Sequence, residues 1–301
     1  VEWKKALNDA LVRTTGYQLQ RALPTPAAAP PRPGDRLLER PAFILCSVRS
    51  GSTLLRVLLS SHSQIHCPHE VHLRHIGVNP IRGHVRRALA ESGLDRRRLR
   101  YLLWDRVLQR ELARSGKRLL VNKTPSDAFV VDRILECWPD ARLIFLLRHP
   151  AAIARSRQAA RPQDTPERNV EMVARYCNAV DAARREHDGL TVRYEDLTAD
   201  PAQVTRRVCG YLEVPWEPAM LDYGRFRHGS FKAGLGDWGE NIRSGRVQPP
   251  EPPPPASETP PKLIAVARAW GYLDEQEPVP HASQPTSMKS KVEMRAEPPA
   301  L

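Results

Sequence analysis

Apolar residues along this chain fall into short runs and helical stripes that alternate. Phe43–Cys46 is an apolar run bounded by polar residues and too short for a helix, which predicts a buried strand. From Ser52 onward, Leu54, Leu55, Leu58 and Leu59 follow helical spacing. Three further strands are predicted at Arg118–Asn122, Arg142–Leu147 and Leu190–Arg193. Between them the pattern predicts helices over Ile81–Glu91, Asp95–Ser115, Asp127–Trp138, Pro150–Ala160 and Pro166–His187. Pro201 opens one more helix that runs to Leu212, and Leu263–Tyr272 makes a last short one. The stretch His62–Pro80 reads as irregular and rich in histidine.

Toward the ends the pattern loosens. Trp3, Leu7 and Leu11 lie four apart in a helix expected over residues 3–23, with Leu19 and Leu23 repeating the spacing after a bend or break at Gly16. Pro24–Pro33 is a Pro/Ala-rich linker or surface arm. Phe231–Trp238 is a Gly-rich loop, and Gln248–Pro261 is extended because it is nearly all Pro, Glu and small residues. From Asp274 the chain is polar, Pro-rich and expected to be disordered. The organisation is therefore an N-terminal helix and linker (1–36), a main domain (37–273) and a tail (274–301).

Short apolar strands separated by helices imply parallel βαβ units, hence an α/β fold with a parallel sheet flanked by helices. Ligands of such sheets gather at the carboxyl ends of the strands. Those ends carry Arg49-Ser50-Gly51, Asn122-Lys123-Thr124, Arg148-His149 and Tyr194-Glu195, so one rim collects cations and hydroxyls.

The first of these ends is a strand, a small-residue turn and a helix start, with Ser52 and Thr53 as cap-type residues. Backbone N–H groups and the helix dipole make such a turn receptive to an anion. The architecture is that of the nucleotide kinases, whose pattern is G-x-x-x-x-G-K-[ST]. Aligned on Gly51 and Thr53, this chain has Cys46 at the first glycine and Ser52 at the lysine. The cation that would neutralise a transferring γ-phosphoryl group is missing, and Arg49 stands two residues before the glycine instead.

Composition narrows the partners. The 301 residues are 41% hydrophobic, enough for a real core. A net charge of +12 suits an anionic ligand or an acidic surface. Nucleic acid is the obvious rival, but aromatic content is 6% and no DNA- or RNA-binding motif is visible, so no nucleic-acid partner is expected. No apolar run has the length of a membrane span. The chain opens on Val1 rather than Met, which leaves room for residues upstream, and no signal-peptide pattern follows. Cys46, Cys67, Cys137, Cys177 and Cys209 are scattered without a C-x-x-C pair, which points to reduced thiols and the cytoplasm.

The rim residues resemble those of sulfotransferases that use 3′-phosphoadenosine 5′-phosphosulfate (PAPS), and bacterial, tyrosylprotein and polyketide-pathway members in particular. The likeness covers about Pro41 to Asp237, with a weaker echo at Ala269-Trp270-Gly271-Tyr272. By this resemblance Arg49, Ser50, Gly51, Ser52 and Thr53 hold the 5′-phosphosulfate. Arg148 and Ser156 have the spacing of the family's 3′-phosphate ligands, and Tyr194-Glu195-Asp196-Leu197 matches its Y-E-D-L string. The R-K-G-x-x-G-D-W string of cytosolic members resembles residues 231–238, with Lys232, Gly236, Asp237 and Trp238 retained. Phe231 and Ala233 depart from it, so the arginine contact expected there is lost.

The resemblance implies transfer of a sulfuryl group to a hydroxyl, or to an amine, of a small or carrier-bound acceptor. Natural-product and carbohydrate acceptors stay open, and no metal is required. Lys123 is the candidate to stabilise the bridging oxygen. Cytosolic members carry a histidine base in a K-T-H string, whereas this chain has Lys123-Thr124-Pro125. Tyrosylprotein enzymes use a glutamate shortly after the first helix, where Glu70 lies, and polyketide-pathway domains have Pro-Glu-Leu-His, similar to His69-Glu70-Val71-His72. Glu70 is the favoured general base, with His72 and then His66 as the others.

Two other readings compete. The spacing of His62, His66, Cys67, His69, His72 and His75 could gather a zinc ion, but it matches no known metalloenzyme pattern, and these histidines are read as surface or acceptor-pocket residues. A regulatory nucleotide-binding module or an atypical phosphate-loop kinase is the rival function. A 3′-phosphate site at Arg148 and Ser156 would be useless to an ATP enzyme.

Overall fold

The computed structural model of the chain describes residues 2–15, 36–80, 82–228 and 239–274. Helix α1 (Glu2–Thr15) precedes the sheet, and its Trp3 and Leu7 are exposed. The rest of the helix expected to residue 23, the linker at 24–33, the Gly-rich loop at 231–238 with Lys232 and Gly236, and the tail beyond Asp274 lie outside the described residues.

Strand β1 (Ala42–Cys46) is buried at every position and leads into α2 (Ser52–Ser60). A two-residue strand β2 (Ile65–His66) follows, within the stretch expected to be irregular. Next come α3 (Gly83–Glu91), which buries nothing, and α4 (Arg96–Ser115), which buries Tyr101, Trp104, Asp105 and Leu108. None of the arginines of α3 and α4 is among the buried residues. Asp95 caps α4 by accepting from Arg98 N at 2.7 Å, and Gly116 ends it at φ +66°.

Strand β3 (Leu119–Lys123), helix α5 (Val131–Cys137) and strand β4 (Arg142–Leu147) come next. The single helix expected over Asp127–Trp138 is in fact two pieces. A 3-10 turn covers Pro125–Phe129, and Val130 at φ −138° separates it from α5. The break follows from Asp127, whose carboxyl group turns inward to accept from Asn122 Nδ2 at 2.6 Å. Helices α6 (Pro150–Ala160) and α7 (Pro166–Glu186) and strand β5 (Leu190–Arg193) match their predicted spans to within a residue. The Tyr194–Leu197 string, expected as the end of the strand, instead begins helix α8 (Tyr194–Ala199). Helix α9 (Pro201–Tyr211), the one-turn α10 (Glu240–Arg243) and α11 (Pro261–Ala269) complete the order.

Among the described residues the sheet is five-stranded and parallel, in the order β2-β3-β1-β4-β5. Strand alternation sends β1 and β4 side chains to two cores. Phe43, Leu45, Leu143, Phe145 and Leu147 pack on one face with Trp104, Ile134, Val173 and Trp270. Ile44, Cys46, Ile144 and Leu146 pack on the other with Leu55, Leu58, Val204 and Val208. Both faces are thus covered by helices, which is why the strands read as unbroken apolar runs. Buried Asp105 fastens the start of the domain by accepting from Leu37 N (2.7 Å), Leu38 N (3.1 Å) and Trp138 Nε1 (3.0 Å).

Candidate active site

The turn between β1 and α2 doubles back through two left-handed residues, Arg49 at φ +62° and Gly51 at φ +83°. Gly51, rather than the cap-type Ser52 or Thr53, is the N-cap of α2. Its backbone lies directly against the Tyr194 ring, and a Cβ placed there would stand 2.1 Å from Tyr194 Cδ2. Ser50 donates its hydroxyl to Ser47 O at 2.8 Å, closing the turn from within. Ser52 and Thr53, both buried, border the cavity that opens in front of the helix start.

Arg148, at the end of β4, braces this turn. Its Nη1 donates to Arg49 O at 3.0 Å, and its guanidinium stacks 4.3 Å from the Tyr194 ring centroid. Arg49 Nε in turn donates to Ser156 Oγ at 3.3 Å. The carbonyl of a left-handed non-glycine residue is therefore held from the end of the neighbouring strand β4, which offsets local strain of about 1–2 kcal/mol. Glu195, beside Tyr194, accepts from His149 N (2.9 Å) and from Tyr272 Oη (2.7 Å). Thus the Y-E segment ties the rim to the chain just after α11.

At the end of β3, Lys123 is 1% exposed and pairs with Glu70 of the loop after β2. His72 Nε2 lies 3.6 Å from the other Glu70 oxygen, and His72 sits in the left-handed region at φ +53°. His66 points elsewhere, 3.9 Å from Glu111 of α4, and burial lowers its pKa. His62 is buried below α2: Nδ1 accepts from Gln64 N at 2.9 Å, so Nε2 donates to Pro215 O at 2.6 Å. His62, His66 and His72 therefore meet three separate partners. Among the described residues, the group that could meet at a metal is Asp132, Glu186 and His187, distant in sequence from that stretch and mostly exposed.

One cavity of about 580 Å³ unites these strand ends. Arg49, Gly51, Ser52, Thr53, Glu70, Arg148, Ser156 and Tyr194 all line it, while Lys123 lies beneath Glu70. Sequence reasoning missed several of its other walls. Arg157 extends from α6 and Arg161 from its C-cap, and Arg246 and Glu251 come from the segment after α10. The described border carries five arginines against two glutamates, so its field favours an anion. The α6 arginines could have been found, since Arg157 follows Ser156 directly. Glu251 carries no local signal, because its approach depends on how a Pro-rich segment folds back.

A parallel α/β sheet flanked by helices, with its cavity at the strand ends, is the class that fold and site define: nucleotide-binding architecture. Residues 41–218 match the Sulfotransferase family, and the chain belongs to it. It is 24% identical over 211 residues to the protein-tyrosine sulfotransferase of Drosophila melanogaster, covering 62% of this chain and 41% of that protein. It is 35% identical over 127 residues to nodulation protein NoeE of Sinorhizobium fredii, covering 38% of this chain and 30% of that protein. The chain thus spans less than half the length of these curated relatives. Among solved structures, the sulfotransferase domain of the Synechococcus PCC 7002 olefin synthase superposes with a TM-score of 0.59 at 25% identity, covering 81% of this chain and 98% of that one. The sulfotransferase domain from the curacin biosynthetic pathway gives 0.57 at 24% identity, covering 79% and 99%. No helix among the described residues is long and apolar enough to cross a membrane.

Proposed function

We propose that this chain transfers the sulfuryl group of PAPS to a hydroxyl of a small or carrier-bound acceptor. The observation that carries the reading is the single cavity bordered by the β1–α2 turn, by Arg148 with Ser156, and by Glu70 above Lys123. The residues fit the donor nucleotide. Arg148 Nε is buried without a hydrogen-bond partner among the described residues, and the N-terminus of α2, which begins after Gly51, borders the same cavity. Arg49, Gly51, Ser52 and Thr53 would hold the 5′-phosphosulfate, and Arg148 with Ser156 the 3′-phosphate. Lys232 and Gly236 would add to the latter site. PAPS supplies the activated sulfuryl group and a phosphate leaving group.

Glu70 is positioned to accept the proton of an acceptor hydroxyl at its carboxylate, with His72 3.6 Å away as the alternative. Lys123 places a cation at the same point and offsets negative charge that develops on the leaving oxygen. In the resting protein the two are paired, so an acceptor that enters must compete for that contact. A phosphate-loop kinase gains no support, since Ser52 holds the position of its lysine. The five cysteines are all buried and unpaired, which supports a cytoplasmic location.

The test is incubation with ³⁵S-labelled PAPS and a panel of phenols, sugars, hydroxylipids and carrier-bound hydroxyacids. Label on one acceptor class, with adenosine 3′,5′-bisphosphate raising thermal stability at far lower concentration than ATP, is the expected result. Stabilisation by ATP at equal or lower concentration, with no labelled acceptor, would overturn it.

A further inference from the structure

Beneath Glu70 and Lys123 lies a polar pair that the reaction does not use directly. Asn122 and Asp127 are 0% and 1% exposed, and Asn122 Nδ2 donates to Asp127 Oδ2 at 2.6 Å. Asn122 Oδ1 and Asp127 Oδ1 are each buried with no hydrogen-bond partner among the described residues. Two orphaned acceptors on two side chains that already share one bond are a costly arrangement, and a buried unpaired carboxylate is more so. One proton resolves both. A carboxylic acid donating from Oδ1 to the amide oxygen closes a cyclic acid–amide pair and leaves no acceptor orphaned. We infer that Asp127 holds its carboxyl protonated in this ring and acts as a positioning residue, fixing the end of β3 and the start of the following turn so that Lys123 is presented to Glu70.

The surroundings agree. Burial pushes the Asp127 carboxyl up to about 8, the Asn122 amide pulls it down, Glu70 adds to the rise and Lys123 opposes it. The 3-10 turn that carries Asp127 packs on β1, on α7 and on the turn at Leu73–His75. The cations from those last two elements, Arg175 and Arg74, sit over the Phe129 ring at 5.0 and 4.6 Å. Asp127 N also donates to Thr124 O at 2.9 Å, so the ring and the backbone bond restrain the residues on both sides of Lys123. An ionised Asp127 would compete with Glu70 for the same lysine. A neutral one leaves Lys123 to its partner.

The inference has a kinetic arm, which rests on the sulfuryl-transfer reading, and a stability arm, which does not. A native carboxyl that keeps its proton above the pH at which an unfolded aspartate has lost it makes unfolding release a proton. Wild-type stability relative to Asp127→Asn should therefore fall as pH rises from about 4 to about 8 and then level off. Denaturant melts of both proteins across pH 4–9 read this directly. In the kinetic arm, Asp127→Ala should lower kcat by about tenfold to a hundredfold through misplacement of Lys123, with adenosine 3′,5′-bisphosphate affinity nearly kept. Asp127→Asn, whose amide can close the same ring, should restore most of that loss and remove the alkaline decline of kcat. Parallel stability curves, or a loss in Asp127→Asn as large as in Asp127→Ala, would overturn the inference. Should wild type itself transfer no sulfuryl group, the functional reading fails while the stability curves still decide the state of Asp127. Should Asp127→Ala not fold, the comparison of wild type with Asp127→Asn decides alone.

Discussion

Gly51 and Tyr194 are in such close contact that the glycine has no room for a side chain, with Tyr194 Cδ2 2.1 Å from where a Cβ would stand. The contact joins the turn after β1 to the first residue after β5, across β4, and Arg148 stacks on the same ring. Gly51→Ala meets both the left-handed backbone and the ring. It should destabilise the protein by about 1–2 kcal/mol, or several degrees in Tm, and weaken bisphosphate nucleotide binding. Calorimetry checks both, and Tyr194→Ala in the same chain should relieve the steric part while the backbone part remains. Equal penalties in the two backgrounds would show that the ring is not what excludes the side chain.

Glu70→Gln removes a proton acceptor while keeping its shape. Turnover should fall by roughly two to four orders of magnitude with product-nucleotide affinity nearly intact. His72→Ala should have a much smaller effect, since His72 is about two-fifths exposed and meets only the far oxygen of Glu70. Wild-type turnover in Glu70→Gln beside a collapse in His72→Ala would transfer the role to the histidine.

Arg148→Ala should weaken adenosine 3′,5′-bisphosphate binding about tenfold or more, because a charge-assisted contact is worth roughly 1.5–3 kcal/mol. A nucleotide without the 3′-phosphate should lose less. Its loss is not zero, because Arg148 also holds the Arg49 carbonyl. Ser156→Ala removes the hydroxyl to which Arg49 Nε donates and should act in the same direction more weakly. Isothermal titration with the two nucleotides reads the difference, and equal losses would place Arg148 away from the 3′-phosphate.

Glu251 reaches over the cavity from the Pro-rich segment, 3.8 Å from Arg148 and 3.7 Å from Arg155. A nucleotide phosphate at Arg148 must compete with that carboxylate. Glu251→Gln should tighten bisphosphate binding a few-fold at low salt, and the gain should fade as ionic strength rises, since the glutamate is 65% exposed. Weaker binding in the variant would make Glu251 a contributor to the site rather than a competitor.

Local pattern was enough for the strands and most helices. Phe43–Cys46 and Leu143–Leu147 are apolar runs buried on both faces, and burial on both faces is what writes such runs into a sequence; the edge strand Leu190–Arg193, which buries only Val192, carries the pattern more weakly. The cations at Arg49, Lys123 and Arg148 were legible for the same reason, because the end of an apolar run marks the end of a strand. Two-residue β2 was not legible, since its pairing with Leu119 and Leu120 comes from the edge of the sheet and not from any period of its own. The break at Val130 was hidden too, because the bond that imposes it, Asn122 to Asp127, joins a strand to a turn. Sequence alone therefore determined the fold class, the order of its elements and the residues presented at the strand ends. Only the tertiary structure decided that β1 lies at the centre of the sheet, that Glu70 meets Lys123, that Tyr194 covers Gly51, and that Glu251 faces Arg148. Each of these joins residues far apart in the chain, and such contacts follow from strand order and crossover packing, which no local spacing encodes.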